Sequence, residues 1–169
     1  MAETVYLLLG SNIGDRARNL ETAAQSISAI EGLELIASSG VYISEAKEMA
    51  GENPSFMNQV LKADYQYSAH ELLHVLEQIE TKMGRTAKGE KKPRTIDCDI
   101  LLFGDEVIDT PALKVPHARL TQRAFALIPL LEIDPQAEHP VTHRRLADYV
   151  SAADRAAVLL YKDHVARNV

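Results

Sequence analysis

Asp97 and Asp99 are separated by one residue inside Thr95-Ile96-Asp97-Cys98-Asp99-Ile100-Leu101-Leu102-Phe103, a run rich in apolar and β-branched residues that meets Gly104-Asp105. That composition predicts a strand ended by a tight turn. Alternation then puts Ile96, Cys98 and Ile100 on one side and both aspartates on the other, their Cα atoms about 6.5 Å apart. Two carboxylates so placed can converge on one ligand, and oxygen-only donors suit a hard divalent cation such as Mg²⁺, with phosphate and water oxygens completing its shell. An isolated Asp-x-Asp is otherwise the wet face of a half-buried strand. Here the strand continues Ile-Leu-Leu-Phe, as expected of a central strand, where two aspartates need compensation. Just upstream, Lys82, Arg85, Lys88, Lys91, Lys92 and Arg94 supply six of the chain's 18 basic residues, with Glu90 the only acid among them. A cationic segment beside a carboxylate pair is what a metal-bound polyphosphate needs, with the cation on the acids and the remaining phosphate charge on the bases.

The elements that must position these groups can be read in chain order. Val5 to Leu9 is a short apolar run ended by Gly10, and Leu20, Ala23, Ala24, Ile27 and Ile30 recur at helical spacing after Asp15, which predicts strand, loop and capped helix. The loop Gly10-Ser11-Asn12-Ile13-Gly14 lacks the Gly-Lys-Ser/Thr ending of a phosphate-binding loop and reads as a structural turn. A second strand is expected around Leu33 to Ile43 and a third from Phe56 to Tyr65, with the polar loop Ser44 to Ser55 between them as a candidate lid. Ser68-Ala69-His70-Glu71 is a capping box, and Leu72, Leu73, Leu76, Ile79 and Met83 follow at helical spacing until Gly84. The aspartate strand comes next, and Gly104-Asp105 turns the chain into Glu106-Val107-Ile108 as a hairpin. The order β-α-β-β-α-β is that of an α+β, ferredoxin-like antiparallel sheet with both helices on one face and the other face open for a ligand. A C-terminal apolar helix over Ala124 to Ile133, interrupted by Pro129, and a smaller one over Arg145 to Val150 complete the expectation.

With 169 residues and 46% hydrophobic content, the chain fits one domain, 1–169, with a sizeable core and no internal repeat. The absence of a charged-then-apolar leader or a long uncharged apolar run predicts a cytoplasmic protein with no membrane partner. A monomer is expected. Net charge −6 argues against a nucleic-acid binder, so the basic segment is expected to serve a small anionic ligand. The lone Cys98 excludes an internal disulfide and reads as an inert core residue.

Three ordered blocks also carry a family resemblance: Lys92-Pro93-Arg94-x-x-Asp97-x-Asp99-Ile100-Leu101, Val115-Pro116-His117 and Arg123-x-Phe125. Together they resemble 6-hydroxymethyl-7,8-dihydropterin pyrophosphokinase of folate biosynthesis, over a stretch from Gly10-Ser11-Asn12 to about Pro135. The resemblance implies transfer of diphosphate from ATP to the hydroxymethyl group of the pterin, with two Mg²⁺ ions on Asp97 and Asp99. It implies that Arg85, Arg94, His117 and Arg123 contact ATP phosphates, that Glu80 and Ile100 lie near the adenosine, and that Arg85 and Arg94 act with the aspartates in catalysis. For the pterin it implies Phe56 and Phe125 as stacking faces, Asn58 as the hydrogen-bonding amide, and Ser44 and Asp97 as further contacts. On their own, His117 would read as a surface residue, either phenylalanine as core, and Glu80 as a solvated helix residue. Many members have Thr-Pro-Pro where this chain has Ser44-Glu45-Ala46, which makes the pterin-lining loop less rigid. The basic loop is one residue shorter than in some members, lacks their tryptophan, and has Ala87 or Lys88 where a second arginine can stand. Two rivals remain on sequence alone: a related Mg²⁺-dependent transferase for another heterocycle, and a non-catalytic ferredoxin-like binding module, which the missing aromatic RNA-binding pattern and the acid pair disfavour.

Overall fold

Three antiparallel strands set the frame for the site. Strand β1 (Glu3–Ser11) pairs with β4 (Phe56–Tyr65) from Glu3↔Tyr65 to Ser11↔Met57, and with β5 (Asp97–Phe103) from Val5↔Phe103 to Gly10↔Asp97. The computed structural model describes residues 2–44, 55–84 and 95–162. Beyond β4, the strands β2 (Leu33–Ser38) and β3 (Val41–Ser44) lie end to end along its free flank, and β8 (Leu159–Lys162) adds to β3. The order β5-β1-β4-β2/β3 with a helix after β1 and another after β4 is the ferredoxin-like plan expected from the sequence.

The helices form where the capping and periodicity signals place them. Asp15 caps α1 (Arg16–Ser28) by accepting the Arg18 N–H at 3.2 Å, and its buried stripe is Leu20, Ala23 and Ile27. Ser68 caps α2 (Ala69–Lys82) by accepting the Glu71 N–H at 3.1 Å, and Gly84, at φ 102°, lies just beyond its end. Both helices pack on Val5, Leu7, Leu9, Leu61, Cys98 and Ile100, one face of the sheet.

The opposite face is not left open along its length. Helix α3 (Ala124–Ile133) is apolar on all sides, with Ala126 through Leu131 buried, so it must be covered. It packs on Tyr6, Leu8, Val60, Leu101 and Leu102. Two phenols tie down its C-terminal end: Tyr6 donates to Asp134, and Tyr42 donates to Glu132 at 2.6 Å. Burial and the acceptor carboxylate push both tyrosine pKa values above the ordinary range.

Four further expectations are corrected. The single strand over Leu33 to Ile43 is two strands, because Ser39 takes the place of a ladder step, its N–H donating to Val60 O and its hydroxyl accepting from Val60 N–H, both at 2.9 Å. Among the described residues the aspartate strand β5 is an edge strand rather than a central one. Its outer flank is nevertheless closed, by Glu80 Oε2 accepting from Cys98 N–H at 2.7 Å and by His117 N–H donating to Leu101 O at 3.0 Å, which is why its apolar run is tolerated there. After the Gly104-Asp105 turn, the hairpin partner of β6 (Ile108–Asp109) is β7 (Lys114–Val115), not β5. Arg145 to Val150 holds a single 3₁₀ turn, Leu146–Tyr149, in place of the expected helix, and α4 (Ala152–Ala157) and β8 follow it. No helix among the described residues is long and apolar enough to cross a membrane.

Candidate active site

Register brings the polar candidates into one row across the sheet. Gly10 is paired with Asp97 on one side and Asn58 on the other, and Asn58 is paired with Tyr42 of β3. Asp99 lies one row further in, opposite Leu8, so both aspartates share the face that α3 covers and both are half-buried. Asn58 and Ser44 are buried, and the amide donates to the Ser44 hydroxyl at 2.7 Å, which orients its oxygen toward Gly10. A Cβ at Gly10 would stand 3.1 Å from that oxygen and 3.5 Å from the Phe56 ring. The glycine therefore lies between the predicted pterin amide and one predicted stacking ring. Arg16 fixes the residue before Phe56, its guanidinium donating to the Ser55 carbonyl at 2.7 Å and hydroxyl at 3.0 Å.

A second concavity opens along the outer edge of β5. Its volume is about 250 Å³, and Leu73, Cys98, Asp99, Ile100, Leu113 and His117 border it. Asp99 thus borders this cavity while sharing a strand face with Asp97. His117 is held by its backbone bond to Leu101 O, and its Nδ1 accepts from Arg119 N–H at 3.2 Å. With Nδ1 an acceptor, the proton of the neutral ring is on Nε2.

Arg123 and Phe125 stand together where α3 begins, the guanidinium carbon 5.5 Å from the ring centroid. Of the two residues expected near the adenosine, Ile100 borders the cavity, whereas Glu80 is almost wholly buried, with its carboxylate on the β5 backbone. Arg85 and Arg94, the basic segment from 85 to 94, and residues 45–54 of the expected lid lie outside the described residues. Among the described residues no group of three or more His, Cys, Asp or Glu side chains could hold a metal ion. The donor set present is a pair of carboxylates, which fits a Mg²⁺ ion that takes its remaining ligands from substrate and water.

The family model for 7,8-dihydro-6-hydroxymethylpterin-pyrophosphokinase matches residues 6–135, a span that includes the aspartate strand, His117, Arg123 and Phe125. The chain belongs to this family. A relative from Aquifex aeolicus named 2-amino-4-hydroxy-6-hydroxymethyldihydropteridine pyrophosphokinase is 44% identical over 147 residues, covering 86% of this chain and 89% of the relative. One of the same name from Pseudomonas aeruginosa is 37% identical, with 83% and 86% covered. The folic acid synthesis protein fol1 of Schizosaccharomyces pombe is 37% identical over 92% of this chain, but the match spans only 21% of that longer protein. In structure, the chain is similar to wild-type Plasmodium falciparum HPPK-DHPS with pteroate, at TM-score 0.68 and 16% identity over 88% of this chain and 42% of that one.

In this pyrophosphokinase-family chain, Gly10, which the sequence reads as part of a structural turn, stands between Asp97 and Asn58 and close to Phe56. The turn itself is structural, with Asn19 Nδ2 donating to Ser11 Oγ at 3.1 Å and to Ile13 O at 3.0 Å, and Gly14 at φ 67°. Gly10 precedes it, inside β1, and a glycine within a strand is itself a signal of close approach. The burial of Glu80 also had a signal, since it follows Leu76 by four residues on the buried stripe of α2.

Proposed function

We propose that the protein transfers the β,γ-diphosphate of ATP to the hydroxymethyl oxygen of 6-hydroxymethyl-7,8-dihydropterin. The observation that carries this reading is the position of the Asp-x-Asp pair. Asp97 is in register with Gly10 and Asn58, and Asp99 borders the cavity at the edge of β5. The adenine ring takes the cavity, whose volume of about 250 Å³ suits a flat base, being just under the ~300–1,000 Å³ of pockets that enclose drug-sized ligands. The phosphates extend from it past Asp99 and His117. The pterin lies over Gly10, with Asn58 hydrogen-bonding its amide-like edge and Phe56 and Phe125 offering aromatic faces.

Asp97 and Asp99 would hold two Mg²⁺ ions, which when bound offset charge on the transferring phosphates and on the leaving AMP. His117 Nε2–H and the Arg123 guanidinium donate to phosphate oxygens, Arg123 able to do so bidentately, and Arg85 and Arg94 add cationic charge from the basic segment. In the reaction the hydroxymethyl oxygen forms a bond to the β-phosphorus, the bond from that phosphorus to the bridging oxygen of the α-phosphate breaks, and the hydroxyl proton passes to solvent. Positioning and charge carry such a step without a strong general base. Purified protein given ATP, Mg²⁺ and the pterin should yield AMP and pterin diphosphate in equal amounts by mass detection. ADP with a monophosphorylated pterin, or no pterin product, would overturn the reading.

A further inference from the structure

We propose that Glu80 is a positioning residue for the aspartate pair, acting through the backbone of Cys98. Among the described residues β5 is the outermost strand of its sheet, and the Cys98 N–H points to α2. Glu80 Oε2 accepts it at 2.7 Å, from a side chain 1% exposed. Glutamate is almost never buried so completely unless its carboxylate has a specific partner. One partner here is the peptide N–H between Asp97 and Asp99, so this hydrogen bond orients the backbone from which both carboxylates project. A ligand pair must be held within about half an ångström of its working geometry, and a groove-facing edge strand has only one neighbouring ladder to hold it there. Glu80 supplies the missing side. Glu80 itself does not border the cavity, so its effect on nucleotide chemistry passes through the β5 backbone and the metal pair rather than through contact with the base.

This inference rests on the reading of Asp97 and Asp99 as the cation-binding pair, and the test separates the two. Three variants are compared: Glu80→Asp keeps the charge but is one methylene too short to reach Cys98, Glu80→Gln keeps length and an acceptor oxygen but loses the charge, and Asp97→Asn removes a proposed ligand. Two readouts need no turnover. One is hydrogen exchange of the Cys98 amide by NMR in the ligand-free protein. The other is Mn²⁺ binding followed by electron paramagnetic resonance with a non-hydrolysable ATP analogue, alongside analogue affinity in EDTA. Glu80→Asp should speed exchange at Cys98 at least tenfold and weaken Mn²⁺ binding about tenfold, with analogue affinity in EDTA unchanged. Glu80→Gln should stay within threefold of wild type in all three. Equal Mn²⁺ loss in both Glu80 variants, a larger loss in Glu80→Gln, or a loss of analogue affinity in EDTA would overturn the positioning role. Wild-type Mn²⁺ affinity in Glu80→Asp, with Asp97→Asn impaired, would overturn this inference alone. Wild-type Mn²⁺ affinity in Asp97→Asn would overturn the metal reading and this inference with it.

Discussion

Substituting Gly10 by alanine is the sharpest single test of where the pterin lies. The new methyl would meet the Asn58 amide oxygen at 3.1 Å and the Phe56 ring at 3.5 Å, the first tighter than ordinary packing. The amide must give by a few tenths of an ångström, and it is already tied to the Ser44 hydroxyl at 2.7 Å. Relief therefore strains either that bond or the one Asn58 makes to the ligand. Each is worth about 1 kcal/mol net, so losing one to two of them weakens pterin binding by roughly 5- to 30-fold. The fold should tolerate the change, because Gly10 is not among the residues at positive φ. Alanine also recovers about 0.5–1 kcal/mol of backbone entropy relative to glycine within a strand, which offsets part of the clash. Calorimetric titration with pterin, in the presence of Mg²⁺ and a non-hydrolysable ATP analogue, reads the first effect. Titration with the analogue alone, together with thermal unfolding, provides the controls. Unchanged pterin affinity, or equal losses for pterin and nucleotide, would refute the placement of the ring over Gly10.

Asp97→Asn and Asp99→Asn should each lower turnover by orders of magnitude with little loss of folding, and near-normal turnover of either at ordinary Mg²⁺ would remove the metal assignment. Phe125→Ala should weaken pterin binding far more than ATP binding, since it deletes a stacking face; equal losses in paired titrations would make Phe125 a packing residue for α3. Alkaline stability offers a fourth check. Tyr6 and Tyr42 have folded pKa values raised above the ordinary value near 10. Their contribution is therefore complete below pH about 10 and is lost as pH rises through the folded values. Denaturant midpoints should fall above that pH, and less steeply in Tyr6→Phe with Tyr42→Phe; an unchanged slope would count against both phenols as ties on α3.

Local signals were sufficient wherever one element decides the outcome. The Phe56–Tyr65 strand, the Ala124–Ile133 helix and the Asp15 and Ser68 caps are legible because periodicity and capping chemistry act within a few residues. Ser38-Ser39-Gly40 is a turn-type sequence inside the expected Leu33 to Ile43 strand, but the bonds that make the break come from Val60, 21 residues from Ser39. β8 has an apolar sequence, but its existence depends on β3 offering a free edge. Within the site, aspartate alternation showed that the two carboxylates share a face. It could not show that Gly10 and Asn58 stand beside Asp97, since register between distant strands is a tertiary property. Glu80 shows the same limit: its place on the stripe of α2 was visible, but its partner on β5 was not.

The row from Asp97 through Gly10 to Asn58 also acts as a ruler. Its divisions are strand spacings, so the carboxylate backbone and the amide backbone are about 10 Å apart, two steps of the hydrogen-bond ladder. Side-chain substitution cannot lengthen that interval, and neither can remodelling of the loops at either end, because the ladder itself would have to be broken. With the pterin placed as proposed, the reach from ring edge to reacting oxygen is thereby fixed in the backbone, while the identity of the ring is left to side chains. A pterin bearing a hydroxyethyl arm in place of hydroxymethyl should bind and yet fail to react, and variants selected to use it should carry changes in strand register or in the metal-facing residues rather than in Phe56 or Asn58.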